Sequence, residues 1–182
     1  MFQLTKTYPK KRAFITGAAS GLGKALALHL ATDGWTIGIT DLYQDRLDIT
    51  KQEIEKRGGK AQTYVFDVSK KEAYAKVAED FLLTNGGIDL LINNAGVGDG
   101  GAFHEYALEH WDWMISINQM GVVYGCFHFI NTFRKQQSGH IINVASAAAY
   151  SNAPRMATYS ASKAAVYSLS ETLKYEYHFD II

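Results

Sequence analysis

Three residues in the last quarter of the 182-residue chain have types and spacing suited to acid–base chemistry: Ser146, Tyr159 and Lys163. Tyr159 and Lys163 stand at i and i+4, separated by small helix-compatible residues, which places them on one helix face about one turn apart. An ammonium held near a phenol favours the phenolate, since an opposite charge within a few ångströms lowers an acid's pKa by roughly 1–3 units. From a tyrosine's starting value near ~10, such a shift moves the phenol towards the range useful for proton transfer at neutral pH. Ser146 follows the strand-like run His140-Ile141-Ile142-Asn143-Val144. Its hydroxyl is thus expected at a carboxyl end of the sheet, where open α/β folds bind ligands. Tyr-x-x-x-Lys also occurs as a surface pair on helices without any chemistry, so it gains force only with a cofactor site upstream.

Such a site is legible near the start. Ala13-Phe14-Ile15-Thr16 reads as a first strand. Gly17-Ala18-Ala19-Ser20-Gly21-Leu22-Gly23 follows, and a helical pattern runs over 22–32. Strand, glycine turn and helix form the setting a dinucleotide site needs. Glycines let the backbone approach a pyrophosphate, and the helix start offers free N–H groups with the positive dipole end. The spacing is G-x-x-x-G-x-G, and the candidates for this end are Gly17, Ser20, Gly21, Leu22 and Gly23. Asp41 closes the second strand (35–40). A carboxylate there accepts hydrogen bonds from ribose hydroxyls and repels a 2′-phosphate. With Leu42 rather than an arginine beside it, Asp41 favours NAD over NADP. The same residue could also cap a helix over 43–56, and the two roles are compatible. Lys24 is a counter-signal for a phosphate, unless it lies on the exposed face of the first helix.

The rest of the chain alternates strand and helix. A third strand at 61–66 leads to Asp67-Val68, and Ser69 is positioned to cap a helix over 70–83. A fourth strand at 89–92 ends in Asn93-Asn94-Ala95-Gly96. The loop Gly98-Asp99-Gly100-Gly101 leads to a long helical region over 108–136, with Asn118 inside it. Asparagine is unfavourable mid-helix, which points to a buried polar task. A fifth strand (141–145), the helix carrying Tyr159 (to about 177) and the start of a sixth strand at 180–182 complete the reading. The fold expected is α/β, a Rossmann-type doubly wound parallel sheet in a single domain over 1–182.

Lys+Arg and Asp+Glu number 18 each, so the formal charge is zero. Lys10-Lys11-Arg12 is the one short basic cluster. This balance gives no electrostatic case for nucleic acid. Cys126 is the only cysteine, so no intrachain disulfide can form and a reducing compartment is expected. There is no signal-peptide pattern at the start and no apolar run of membrane-spanning length. A cytoplasmic protein is expected, with no membrane partner. The six histidines show no spacing of the H-E-x-x-H kind, so no metal is expected.

Taken together, Thr16-Gly-x-x-x-Gly-x-Gly23, Asp67, Asn93-Asn94-Ala95-Gly96, Asn118, Ser146 and Tyr159-x-x-x-Lys163 resemble the short-chain dehydrogenase/reductase family over the whole chain. The resemblance implies NAD(P)-linked oxidoreduction of an alcohol/carbonyl pair. It also implies that Asp67 and Val68 hold the adenine, that Asn94, Ala95 and Gly96 line the adenosine side, and that Tyr159 and Lys163 reach the nicotinamide ribose. Catalysis would rest on Tyr159 as acid/base, Ser146 bonded to the substrate oxygen, Lys163 tuning Tyr159, and Asn118 holding a relay water. A homodimer or homotetramer is implied by the same resemblance, with the small face Ala161, Ala164, Ala165 and Leu169 as core or interface. Family members continue past Ile182 through a further strand, a substrate-covering segment and a last strand. The expectation is therefore a fold truncated after the Tyr-bearing helix, part of a longer chain, with strand five near an open edge.

Tyr150, Phe103, Met156 and the 98–101 loop are expected to wall an apolar substrate pocket near Ser146. The competing readings are a protein that binds or senses NAD without turnover, and an inactive fragment.

Overall fold

The computed structural model describes residues 4–151, 153–177 and 180–181. A six-stranded parallel sheet runs in the order β3-β2-β1-β4-β5-β6. Its strands are β1 (Arg12–Thr16), β2 (Thr36–Asp41), β3 (Lys60–Val65), β4 (Leu90–Asn93), β5 (His140–Asn143) and β6 (Asp180–Ile181). The helices between them are α1 (Gly21–Ala31), α2 (Gln44–Lys56), α3 (Lys71–Asn85), α4 (Leu108–Ile115), α5 (Gly121–Gln136) and α6 (Ala157–Glu176). Single turns at Leu4–Thr7, Phe103–Glu105 and Ala148–Ser151 carry no label. The order reverses between β1 and β4, which makes that boundary the switch point where such sheets open a crevice.

Strand residues alternate between two cores because successive side chains point to opposite faces. Ala13, Ile15, Leu90 and Ile92 face one way and pack with Leu30 and Ile54 of α1 and α2. Phe14, Leu91 and Ile141 face the other way, against Phe81 of α3, Phe129 of α5 and Val166 of α6. Phe14 meets Phe81 edge-on, with centroids 5.2 Å apart, an arrangement aromatic rings prefer.

Several expectations change. The 108–136 helix is interrupted: Ser116–Met120 is a π-helical turn between α4 and α5. Neither Asp41 nor Ser69 caps a helix. Tyr43 and Lys70 occupy those N-cap positions without side-chain caps. Arg12 does not belong to a surface basic cluster. It is buried with Asp89, Nη2 lying 2.9 Å from Oδ1 and Nε donating to Oδ2 at 3.0 Å. Strand five lies near the sheet edge as expected, with only the two-residue β6 (Asp180–Ile181) outside it, paired with His140–Ile141. Ile182, expected in that strand, lies outside the described residues.

Candidate active site

The glycine turn is built for close approach. Gly17 has φ +66°, and a Cβ there would stand 2.9 Å from the Ala95 Cα. Gly23 is buried, and a Cβ on it would strike the Gly17 carbonyl oxygen. Helix α1 can therefore start directly against the turn only if residue 23 has no side chain. Asn94 ties the turn to the end of β4: its Nδ2 donates to the Thr16 carbonyl at 2.9 Å and the Gly17 carbonyl at 3.1 Å. The Thr16 hydroxyl oxygen accepts from the backbone N–H groups of Asn94 and Ala95, both at 3.0 Å.

Over this turn lies a cleft of about 440 Å³. Gly17, Ser20, Gly21 and Leu22 line one end, Asp41 a second wall, and Asp67 and Val68 a third. Asn94, Ala95 and Gly96 close it along β4. Gly23 does not line it; its part is the close helix contact. Asp41 turns its carboxylate back towards the glycine turn, accepting from Ala19 N–H at 3.2 Å and from Leu42 N–H at 2.8 Å. Asp67 accepts from Ser69 N–H at 2.9 Å. Lys24 is held by Glu53 at 2.8 Å, a hydrogen-bonded ion pair that draws the Glu53 carboxyl below its usual range. The sequence reading missed Thr40, Leu42, Tyr43, Phe66, Val97 and Ile117, which also line the cleft. For all but Tyr43 the signal was adjacency, since Thr40 and Leu42 flank Asp41, Phe66 flanks Asp67, Val97 flanks Gly96 and Ile117 flanks Asn118.

Beside the cleft lies a cavity of about 290 Å³ that shares Leu22, Asn94, Gly96 and Val97 with it and adds Gly98, Val144, Ala145, Tyr159 and Lys163. Tyr159 and Lys163 thus meet as the i, i+4 spacing requires, with Nζ 6.0 Å from the ring centroid. Lys163 is only 4% exposed. Its Nζ donates to the Val144 carbonyl at 2.7 Å, and burial pushes its pKa down. Asn118 sits in the π turn, fully buried. Its Oδ1 accepts from Val97 N–H at 2.8 Å, and its Nδ2 donates to the Val97 carbonyl (2.8 Å) and the Ser162 hydroxyl (3.1 Å). Both amide protons are spent on protein, so a relay water at Asn118 could only be held by an oxygen.

Ser146 is half-buried, and its Oγ accepts from Ala148 N–H at 3.1 Å, opening the short Ala148–Ser151 turn. It does not line the Tyr159–Lys163 cavity. The expected apolar wall is also dispersed. Tyr150 is exposed and packs on Tyr167, centroids 4.8 Å apart. Phe103 lines a separate groove with Pro154, Ala157, Ser160, Ala161 and Ala164. Ala157, Ser160, Ala161 and Ala164 recur at helical spacing, so that groove runs along one face of α6, and neither Tyr159 nor Lys163 lines it. Leu169 packs on the second core. From the expected wall, Gly98 alone joins Tyr159 in the cavity.

Among the described residues there is no cluster of three or more His, Cys, Asp or Glu side chains able to hold a metal. No described helix is long and apolar enough to cross a membrane.

Residues 11–182 match the family model for short chain dehydrogenases. The chain is 40% identical over 163 residues to a probable oxidoreductase EphD of Mycobacterium bovis, covering 89% of this chain and 28% of that protein. It is 37% identical over 163 residues to a diacetyl reductase [(S)-acetoin forming] of Staphylococcus epidermidis, covering 89% of this chain and 63% of that one. The chain therefore spans under a third of the first relative and under two thirds of the second. Among solved structures, NAD+-bound xylitol dehydrogenase matches with a TM-score of 0.90 at 30% identity, over 94% of this chain and 68% of that one. A metagenomic short-chain oxidoreductase in complex with NADP matches with a TM-score of 0.89 at 32% identity, over 92% and 76%. A parallel doubly wound sheet with a glycine turn at its switch point defines a Rossmann-type dinucleotide-binding architecture. This chain belongs to the short-chain dehydrogenase/reductase family of oxidoreductases.

Proposed function

We propose that the protein carries out NAD-linked oxidation of an alcohol, or reduction of the matching ketone, with Tyr159 as acid/base. The observation that carries this reading is a pair of adjoining cavities, with Leu22, Asn94, Gly96 and Val97 lining both, that reach from the glycine turn to the Tyr159–Lys163 pair. The residues fit a dinucleotide. The Ser20 hydroxyl makes no capping bond at the start of α1, and the buried Thr40 hydroxyl on the cleft wall has no partner. Gly17, Ser20, Gly21 and Leu22 would hold the pyrophosphate, with Gly23 keeping α1 close. Asp41 would take the adenosine ribose, and Asp67 and Val68 the adenine. Asn94, Ala95 and Gly96 would line the adenosine side, and Tyr159 and Lys163 the second ribose. The nicotinamide, when bound, supplies the hydride chemistry.

The chain's own residues manage the proton. Tyr159 takes the hydroxyl proton from an alcohol, or returns it to the oxygen of a ketone. Lys163, anchored on the Val144 carbonyl, places positive charge beside the phenol as it ionises. Ser146 donates a hydrogen bond to the substrate oxygen and steadies its charge. Asn118 fixes Val97 and Ser162, the neighbours of this centre. The Asp41 carboxylate on the ribose side and the pairing of Lys24 with Glu53 favour NAD over NADP. Two or four copies pairing through α4–α5 and α6 would complete the assembly, which sedimentation would read.

A second reading, dinucleotide binding without turnover, is favoured by one fact: Ser146 does not line the Tyr159–Lys163 cavity. The experiment is NADH binding by fluorescence together with NADH formation from a panel of secondary alcohols. Turnover that Tyr159→Phe abolishes, with NADH affinity within about twofold of wild type, supports the enzyme. Binding without turnover supports the second reading, and turnover retained by Tyr159→Phe removes Tyr159 from its role.

A further inference from the structure

Gly98, in the glycine-rich segment after Gly96, lines the cavity beside Tyr159. A Cβ on Gly98 would sit 3.5 Å from the Tyr159 ring, and one on Gly100 would sit 3.5 Å from the Arg155 carbonyl oxygen and 3.6 Å from the Met156 sulfur. With three glycines in four residues, this segment loses much conformational freedom when ordered. It must be held from both ends. The first hold is the buried Asn118 amide on Val97.

The second hold converges on Arg155. Its carbonyl accepts from Gly101 N–H at 2.9 Å. Its Nη2 reaches Glu105 Oε2 at 3.2 Å. The same Oε2 accepts from Ala102 N–H at 2.6 Å. Arg155 makes these contacts from φ +65°, a left-handed backbone that a non-glycine residue rarely adopts. Such strain persists only where surrounding contacts over-determine it. Arg155 also stands four residues before Tyr159, at the entry to α6.

We propose that Arg155 is a positioning residue: with Glu105 it pins the 98–102 segment and so holds Gly98 against the Tyr159 ring, on the substrate side of the cavity. The role rests on the enzymatic reading for its kinetic consequence and on geometry alone for the pinning. The Arg155–Glu105 pair is exposed, so its share is that of a surface ion pair. The effect is local and modest, falling on how tightly the substrate is confined.

The test compares wild type with Arg155→Ala, Arg155→Lys and Glu105→Gln. Amide hydrogen exchange is followed by mass spectrometry on the chain without cofactor or substrate. Exchange of 98–105 is expected to rise in Arg155→Ala and Glu105→Gln, to be partly restored in Arg155→Lys, and to stay unchanged in α1 and α6. With an alcohol that the wild type oxidises, KM is expected to rise roughly two- to fivefold, with kcat and NADH affinity unchanged. Exchange of 98–105 that does not move overturns the proposal, and so does a rise spread over the whole chain, which marks a merely structural residue. An effect on kcat without one on KM overturns the substrate-side role. If the wild type binds NADH without turnover, the enzymatic reading fails, while the exchange measurement still decides the pinning.

Discussion

Asn118 shows how one side chain links backbone geometry to the site. Its amide satisfies both backbone groups of Val97 and the Ser162 hydroxyl, within a π turn that a regular helix would not form. Single π turns recur at functional sites because they re-aim a residue that i→i−4 bonding would place elsewhere. Asn118→Ala removes three hydrogen bonds and leaves polar groups of Val97 unpaired. A loss of about 1–3 kcal/mol is expected, read as a lower midpoint in urea denaturation with unchanged slope. A midpoint equal to wild type would mean that water replaces the amide. The mid-helix asparagine could be read from sequence as a buried polar task. The π turn could not, because it depends on the partners supplied by the 97 and 162 segments.

At the scale of the element, the start of α1 depends on contact between two backbones. A methyl on residue 23 meets the Gly17 carbonyl oxygen and the Asn94 amide, so α1 must back away from the turn. Gly23→Ala is expected to cost about 1–3 kcal/mol through overpacking. It should also weaken NADH binding in fluorescence titration, since Gly17, Ser20 and Gly21 move with the helix. Unchanged affinity would show that the turn tolerates the displacement. The glycine pattern announced this turn in the sequence, yet it assigned Gly23 to ligand contact, whereas the structure assigns it to packing. A spacing motif identifies which positions lack a side chain. It does not say whether ligand or protein fills the space.

For the whole molecule, the Arg12–Asp89 pair joins the amino ends of β1 and β4 beneath the switch point. The Arg12 backbone N–H also donates to Asp89 Oδ2 at 2.9 Å, and its guanidinium reaches the Gly86 carbonyl at 2.6 Å. Removing one partner of a buried pair strands the other charge, at a typical cost of about 3–5 kcal/mol. Asp89→Asn is expected to lower the thermal midpoint markedly while leaving residual NADH affinity at permissive temperature near wild type. A drop confined to affinity would place Asp89 in the site instead. Nothing in the local sequence separated Arg12 from Lys10 and Lys11. Burial was decided by pairing with a residue 77 positions away.

The sequence by itself determined the alternation of strands and helices, the glycine turn at the switch point, and the Tyr159–Lys163 pair. These are local or periodic signals: the pitch of a helix, the two-residue repeat of a strand, the absence of a side chain. Only the tertiary structure decided that Asp41 faces the glycine turn rather than capping α2. It also decided that Ser146 opens a short turn, that Phe103 belongs to a groove along α6, and that Arg155 reaches the segment beside Tyr159. The Asp41 and Arg155 outcomes depend on which distant group satisfies a polar atom, and the Phe103 outcome on which distant side chains it packs among. Sequence spacing carries no record of that choice, because the partner comes from another strand or loop.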